Sequence, residues 1–370
     1  MSDDAVLMQG RQTKRKWKTI LGLTCTSLVL LAGARAAAHP QALLDSAQTF
    51  AARIFSRNTG QWIATDHGPE TCAFLVNDSI FFAEAGSISA LDEDGRTVFR
   101  ETTQLSSPQA VHSRQAAVVF DSCGGELLLI NNQGSKTLEI PLGVDAAAVS
   151  DLGSTAVITA GSGYQTLTCC FDAQGTLLRE IGLSQEAMVL MTYLRGSDVL
   201  SACVITAEGK WHLRFYEEDT CTDIPLNTSE VYEMKPCGEG VALWTCDGIC
   251  LISEKGEITA ELPVTPDELL LWDSDGFAAA VILEAGSPIL VTLDAEGAFS
   301  RSQPLTRTPR DLSVCASRCC VLDREALLIY DKHCRLKDSA PEGAFAASIQ
   351  AIPGGAAIFG DREFMRYISK

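Results

Sequence analysis

The chain has 370 residues, 46% apolar and 21% charged, enough for one large globular core and too apolar for a disordered chain. Its formal charge is −18, and the asymmetry is steeper still: with the six basic and two acidic residues of positions 1–38 set aside, 23 basic and 45 acidic side chains remain, a net of −22. A surface of that sign repels phosphate backbones and anionic headgroups, which excludes nucleic-acid binding.

The first eighteen residues end in the basic run "RQTKRKWK" (11–18), and "TILGLTCTSLVLLAGA" (19–34) follows without a charge. Next, "RAAAHP" (35–40) places small residues at Ala36 and Ala38, the A-x-A pattern of a signal-peptidase site. Residues 1–18 are therefore read as a basic cytoplasmic segment and 19–38 as a signal anchor, with a cleaved signal peptide as the alternative. Positive charge before the apolar run and acid after it put the rest of the chain outside the cytoplasmic membrane, anchored by one pass or secreted after cleavage. Cys25 follows "GLT", which lacks the small residue beside a lipoprotein cysteine. In "PQALLDSAQTFAARIF" (40–55) apolar residues recur at intervals of three and four, which predicts a short amphipathic helix within a 39–59 linker.

From there a short phrase recurs: "LDEDG" (91–95), "INNQG" (130–134), "FDAQG" (171–175), "ISEKG" (252–256) and "LDAEG" (293–297). Type I turns favour Asp, Asn or Ser at the first position and Gly at the fourth. On that template the first positions are Asp92, Asn131, Asp172, Glu217, Ser253, Asp294 and Asp331, and the fourth are Gly95, Gly134, Gly175, Thr220, Gly256, Gly297 and Cys334. Successive turns lie 39, 41, 45, 36, 41 and 37 residues apart. A period near forty marks a propeller blade.

Between turns the sequence fits four antiparallel strands, clearest over 267–305. Hairpins of second and third strands fall near 80–91, 118–130, 156–171, 200–216, 241–252, 277–293, 319–330 and 356–368, which makes eight blades, with seven as the alternative. The last has no outer strand before the chain stops, and the spare segment "GQWIAT" (60–65) precedes the first. Gln61–Thr65 is expected to supply that strand and close the ring. The fold class is all-β: a propeller of four-stranded blades over residues 60–370, preceded by the apolar and amphipathic helices.

"ISALDEDGRTVF" (88–99) resembles the repeat of quinoprotein-like (PQQ-like) β-propellers, in which a strand ends in Asp, turns through Gly and restarts into an aromatic. With its basic N-terminus, one apolar segment and acidic propeller, the chain is most similar to the uncharacterised membrane-anchored propeller proteins of clostridial Gram-positive bacteria. It departs from quinone-binding members where the cofactor would sit. The Trp that docks neighbouring blades is replaced by Phe99 once and has no other equivalent. The adjacent pairs Cys169–Cys170 and Cys319–Cys320 fall inside strands, where successive side chains point to opposite faces. No cofactor is predicted.

Other chemistry is sparse. Thirteen cysteines follow Cys25, an odd number that excludes complete internal pairing, and most sit in apolar runs as small hydrophobes. The best disulfide candidate is Cys246–Cys250, facing each other if Asp247-Gly248-Ile249 is the loop; a two-residue loop would point them apart. No ligand set for zinc appears at recognisable spacing. The histidines (39, 67, 112, 212, 333) share no motif, and Trp62, Trp211, Trp244 and Trp272 read as blade packing. "DEDG" (92–95) and "DSDG" (273–276) read as exposed turn acids and not calcium loops.

No catalytic, metal or cofactor residue is assigned. The expectation is an extracytoplasmic, membrane-associated propeller acting as a non-catalytic binding or scaffold module, with a protein or cell-envelope partner on its rim. The alternative is a glycan-active or other hydrolase or lyase. Acids, His or Arg from three or more blades meeting at one channel mouth would mark the enzyme; small or apolar lining would mark the scaffold.

Overall fold

"LLLWDS", "AAAVILE", "SPILVTL" and "FSR" show how one blade is written. They form strands Leu269–Ser274, Ala278–Glu284, Ser287–Leu293 and Phe299–Arg301, hydrogen-bonded in sequence order. The two middle strands are buried along most of their length because both their faces meet neighbouring blades. The computed structural model describes residues 62–67, 71–341, 343 and 346–369. They form eight four-stranded antiparallel sheets. Blades 1 to 8 begin at Cys72, Gln109, Ala146, Ala187, Val231, Leu269, Asp311 and Ser348. The expected segments 1–18, 19–38 and 39–59 lie outside the described residues. Among the described residues no helix is long and apolar enough to cross a membrane.

The ring closes between its two ends. Ile63–Ala64 pairs antiparallel with Glu363–Ile368, Ile63 opposite Phe364 and Ala64 opposite Glu363. The Thr65 N–H extends the seam by donating to the Arg362 carbonyl at 2.7 Å. The closing strand is thus shorter than the expected Gln61–Thr65 but holds the expected place, and the count is eight. Apolar side chains gather into eight separate clusters, one in each seam between consecutive blades. The four tryptophans pack into these seams, and Phe99 joins the one between blades 1 and 2.

The repeated phrase serves two purposes. At Asp92, Asp172, Ser253, Asp294 and Asp331 the backbone carbonyl accepts from the N–H three residues on, at Gly95, Gly175, Gly256, Gly297 and Cys334. The aspartate Oδ1 or serine Oγ accepts from further N–H groups of the same loop. Each fourth residue has a left-handed φ, from 56° at Cys334 to 84° at Gly256, the geometry of a type I turn closed by a bulge. The glycines also touch the preceding blade. A Cβ on Gly95 would lie 2.5 Å from Ile63, on Gly175 2.6 Å from Leu138, on Gly256 2.7 Å from Ile224 and on Gly297 2.9 Å from the Thr259 carbonyl oxygen. Turn geometry and blade docking therefore select the same residue.

Two positions depart from this pattern. Asn131 stands opposite Gly134, and Glu217 opposite Thr220, so both hairpins turn on two residues. Asn131 instead reaches the next blade, its Nδ2 donating to the Ala173 carbonyl at 2.8 Å.

Two outcomes follow from this turn chemistry. Gly86 has φ +80° with open space where a Cβ would go, so Gly86→Ala should cost only left-handed strain, about 1–2 kcal/mol. Gly297→Ala adds a backbone clash and should lose more in the same urea titration. Burial pushes the Asp331 carboxyl up, but the Arg335 and His333 N–H groups and the Lys337 ammonium outweigh it and hold the carboxyl below its usual value. Its stabilisation is present above the unfolded value and fades as pH falls through the folded one. Asp331→Ala should cost about 1–2 kcal/mol at pH 7, and the gap to wild type should narrow in acid.

Candidate functional site in the central channel

The first strand of each blade lies on the axis with one edge unpaired by its own sheet. Such an edge needs partners for its backbone groups, and side chains of adjoining first strands supply them. Asp311 accepts from the Ile349 N–H, Ser313 Oγ from Ala351, Asp273 from Val314 and Asp275 from Ala316, at 2.7–2.9 Å. Gln350 closes the circle onto blade 1, accepting from the Leu75 N–H at 2.8 Å and donating to the Leu75 carbonyl at 3.1 Å. These bonds line one side of a cavity of about 700 Å³, bordered by first-strand residues of blades 2 to 8, a volume within the range of small-ligand sites.

Charged groups meet at the mouth where the first strands end. Arg114 of blade 2 and Arg195 of blade 4 both reach Asp275 of blade 6, Nη2 to Oδ2 and Nη1 to Oδ1, each at 2.6 Å. Asp151 of blade 3 accepts from the N–H groups of Arg114 and Gly196 at 3.2 Å. Deeper in, Lys235 contacts Asp273 at 3.1 Å and Glu233 at 3.3 Å and lies over the Trp272 ring, 4.8 Å from its centroid. The Trp272 indole N–H donates to Glu233 at 2.6 Å. Burial pushes the Asp275 carboxyl up to about 6 against the pull of Arg114. Burial works against the Lys235 ammonium too, but Asp273 and Glu233 more than offset it and hold it above its usual value.

Four blades thus bring acids and arginines to one mouth, the arrangement expected of an enzyme, yet those groups are spent on one another and on backbone N–H groups. What they do is brace first strands across the channel. Among the described residues no group of three or more His, Cys, Asp or Glu side chains is placed to hold a metal ion.

Sequence reasoning missed this cluster and misassigned part of it. "DSDG" is no exposed turn: Asp273 and Asp275 keep 20% and 17% of their side-chain surface, at the end of a first strand and facing the channel. The signal was the WD dipeptide at Trp272–Asp273, which ends a strand on the axis. "DEDG" is a rim turn as expected. The turn residues Asp92, Gly95, Asn131, Gly134, Asp172, Gly175, Ser253, Gly256, Asp294, Gly297 and Asp331 lie between third and outer strands, away from the cavity lining.

The Cys246–Cys250 bridge is corrected. Thr245 stands opposite Gly248 and Leu243 opposite Cys250, so the loop is the two residues Cys246–Asp247 and both thiols are free. Seven of the thirteen described cysteines are buried, and burial pushes the Cys203, Cys237, Cys250 and Cys320 thiols up to about 12.

Asp275 sets a pH dependence. Its folded value of about 6 lies above the ordinary 3.8, so between these the folded chain holds a proton that the unfolded chain has released. Stability from this group is full below about 4 and lost as pH rises to about 6. Asp275→Asn, neutral throughout, should lack that slope relative to wild type in urea titrations at pH 4.5 and 7.

A family of unknown function (DUF5711) matches residues 61–188, from the closing strand into blade 4. No curated protein matches the sequence. Among solved structures, the computationally designed Ika8 protein superposes with a TM-score of 0.57 at 13% identity, over 84% of this chain and 100% of that one. BamB from Moraxella catarrhalis gives 0.52 at 12% identity, over 84% and 97%. AztD from Citrobacter koseri gives 0.49 at 13%, over 73% and 85%. At such identities the likeness is one of fold: this chain is an eight-bladed β-propeller of four-stranded blades.

Proposed function

We propose that the protein is a binding or scaffold propeller, held at the outer face of the cytoplasmic membrane by its N-terminal segment, that takes a protein partner on the rim carrying the Asp-x-x-Gly turns. Its strands alternate in direction, so first–second and third–outer turns share one rim with the channel mouth of Arg114, Arg195 and Asp275. The observation that carries the reading is an apolar arc just beyond those turns. Ile258, Phe299 and Leu336, on consecutive blades 5, 6 and 7, are 60%, 44% and 55% exposed where each outer strand begins. Val98, Leu177 and Leu178 repeat the feature on blades 1 and 3. Apolar residues on an acidic rim suit an interface core better than a solvated surface. The alternative, a glycan-active hydrolase or lyase at the channel mouth, has less support, because the carboxylates there are already bound by arginines and backbone.

The test is crosslinking and affinity capture of the full-length protein from its native cell envelope, wild type beside Ile258→Asp/Phe299→Asp/Leu336→Asp. The three positions are exposed, so the fold should lose little stability, roughly 0.5 kcal/mol per site. Partner recovery should fall about tenfold or more. Undiminished recovery by the triple variant would rule out this arc as the interface.

A further inference from the structure

The seam where the ring closes holds a cluster that the channel reading leaves unused. Three residues after the closing strand Ile63–Ala64, the chain places His67 against the face of blade 1 that looks toward blade 8. His67 Nδ1 lies 2.8 Å from Glu84 Oε1, and His67 Nε2 lies 3.0 Å from Ser89 Oγ. Thr71 Oγ1 donates to the same Glu84 oxygen at 2.9 Å. The imidazole stacks on Phe82, centroids 4.3 Å apart and planes 12° from parallel. Glu84 and Phe82 alternate along one strand and Ser89 faces Phe82 on the next, so all three share one face. Burial pushes the Glu84 carboxyl up, but the bonds from His67 and Thr71 outweigh it and hold it ionised below its usual value.

We propose that Ser89, His67 and Glu84 form a serine-nucleophile site that hydrolyses small carboxylic esters, lying in the seam between blades 8 and 1. The order is hydroxyl, imidazole, carboxylate, each within hydrogen-bond reach of the next, as an activated serine requires. Glu84 accepting at Nδ1 sets the tautomer whose Nε2 is free to accept the Ser89 proton. Ser89 Oγ bonds to the ester carbonyl carbon while its proton passes to His67 Nε2. The carbon–alkoxide bond then breaks, and the alkoxide leaves as the alcohol with that proton. Water repeats the sequence on the acyl-serine, releasing the carboxylic acid and returning the proton to Ser89. The His67 side chain keeps 19% of its surface and Ser89 7%, and Phe82, stacked on the imidazole, is itself backed by Phe364, so the site admits only small substrates. Glu84 and Thr71 are positioning residues.

This activity stands apart from partner binding on the opposite rim's turns, and either can fail alone. The test incubates the folded wild-type chain with a small fluorophosphonate probe and maps the adduct by mass spectrometry, with p-nitrophenyl acetate hydrolysis in parallel. The adduct is expected on Ser89, to form on the order of 100-fold or more slower in His67→Gln, and to be absent in Ser89→Ala. Glu84→Gln should slow it and Glu84→Asp restore part of the rate. A folded wild-type chain without an adduct on Ser89, or His67→Gln labelled at the wild-type rate, would overturn the proposal. The mapping uses unmodified protein, so a variant that fails to fold does not blunt it.

Discussion

Two residues of strand close this molecule. Each blade buries its second and third strands only because a neighbour covers both faces, and the eight apolar clusters between blades form an unbroken circle. The circle is complete only when Ile63 lies opposite Phe364, next to a seam that includes Leu75, Phe82, Phe359 and Ile368. Without that pairing the faces of blades 1 and 8 would meet water, and a three-stranded last blade would offer an open edge. Closure also delivers His67, a few residues later, to Glu84 and Ser89.

The rest of the architecture serves the same ring at two radii. On the perimeter, each Asp-x-x-Gly turn lays its fourth residue against the preceding blade, close enough at Gly95, Gly175, Gly256 and Gly297 that a side chain would collide. Cys334 does the corresponding work on blade 7, its thiol within 3.4–3.5 Å of Ser300 and Leu290 carbonyls and the Thr292 hydroxyl. On the axis, exposed strand edges are met by Asp, Ser and Gln side chains from adjoining blades. The Arg114–Asp275–Arg195 bridge spans blades 2, 4 and 6. Buried ion pairs of this kind add little net stability over an apolar contact, and here they set the position of strands whose axial edge pairs with no other strand.

The channel therefore has the composition of a site and the bonding of a frame. Its charges converge as catalytic groups do, but the carboxylates already hold arginines, lysine or backbone N–H groups. Ile258, Phe299 and Leu336 stay exposed at the start of their outer strands, with only the Arg301 guanidinium over the Phe299 ring, and for that reason binding at the rim is the function proposed. The Ser89–His67–Glu84 chain is different again, because hydroxyl, imidazole and carboxylate stand in sequence, each within hydrogen-bond reach of the next.

The blades were legible in the amino-acid sequence because each is local. Turn residues three apart, apolar runs on either side and a period near forty residues report contacts within about forty positions, so blade number, strand order and even the origin of the closing strand could be read. The sequence left the Cys246–Cys250 loop open between two and three residues, because one residue in a hairpin decides which face a side chain takes, and the structure takes the two-residue loop. The site residues were out of reach for a different reason. Arg114 and Asp275 are 161 positions apart, and Arg195 stands 80 residues from that aspartate. "DSDG" spells a turn as readily as a strand end. His67, Glu84 and Ser89 share no spacing motif either; only the face of blade 1 and the path of the chain leaving the closing strand bring them together. Local chemistry determined the repeat, whereas which charged and nucleophilic groups meet was decided by closure of the ring, which sets distances that no pattern along the chain encodes.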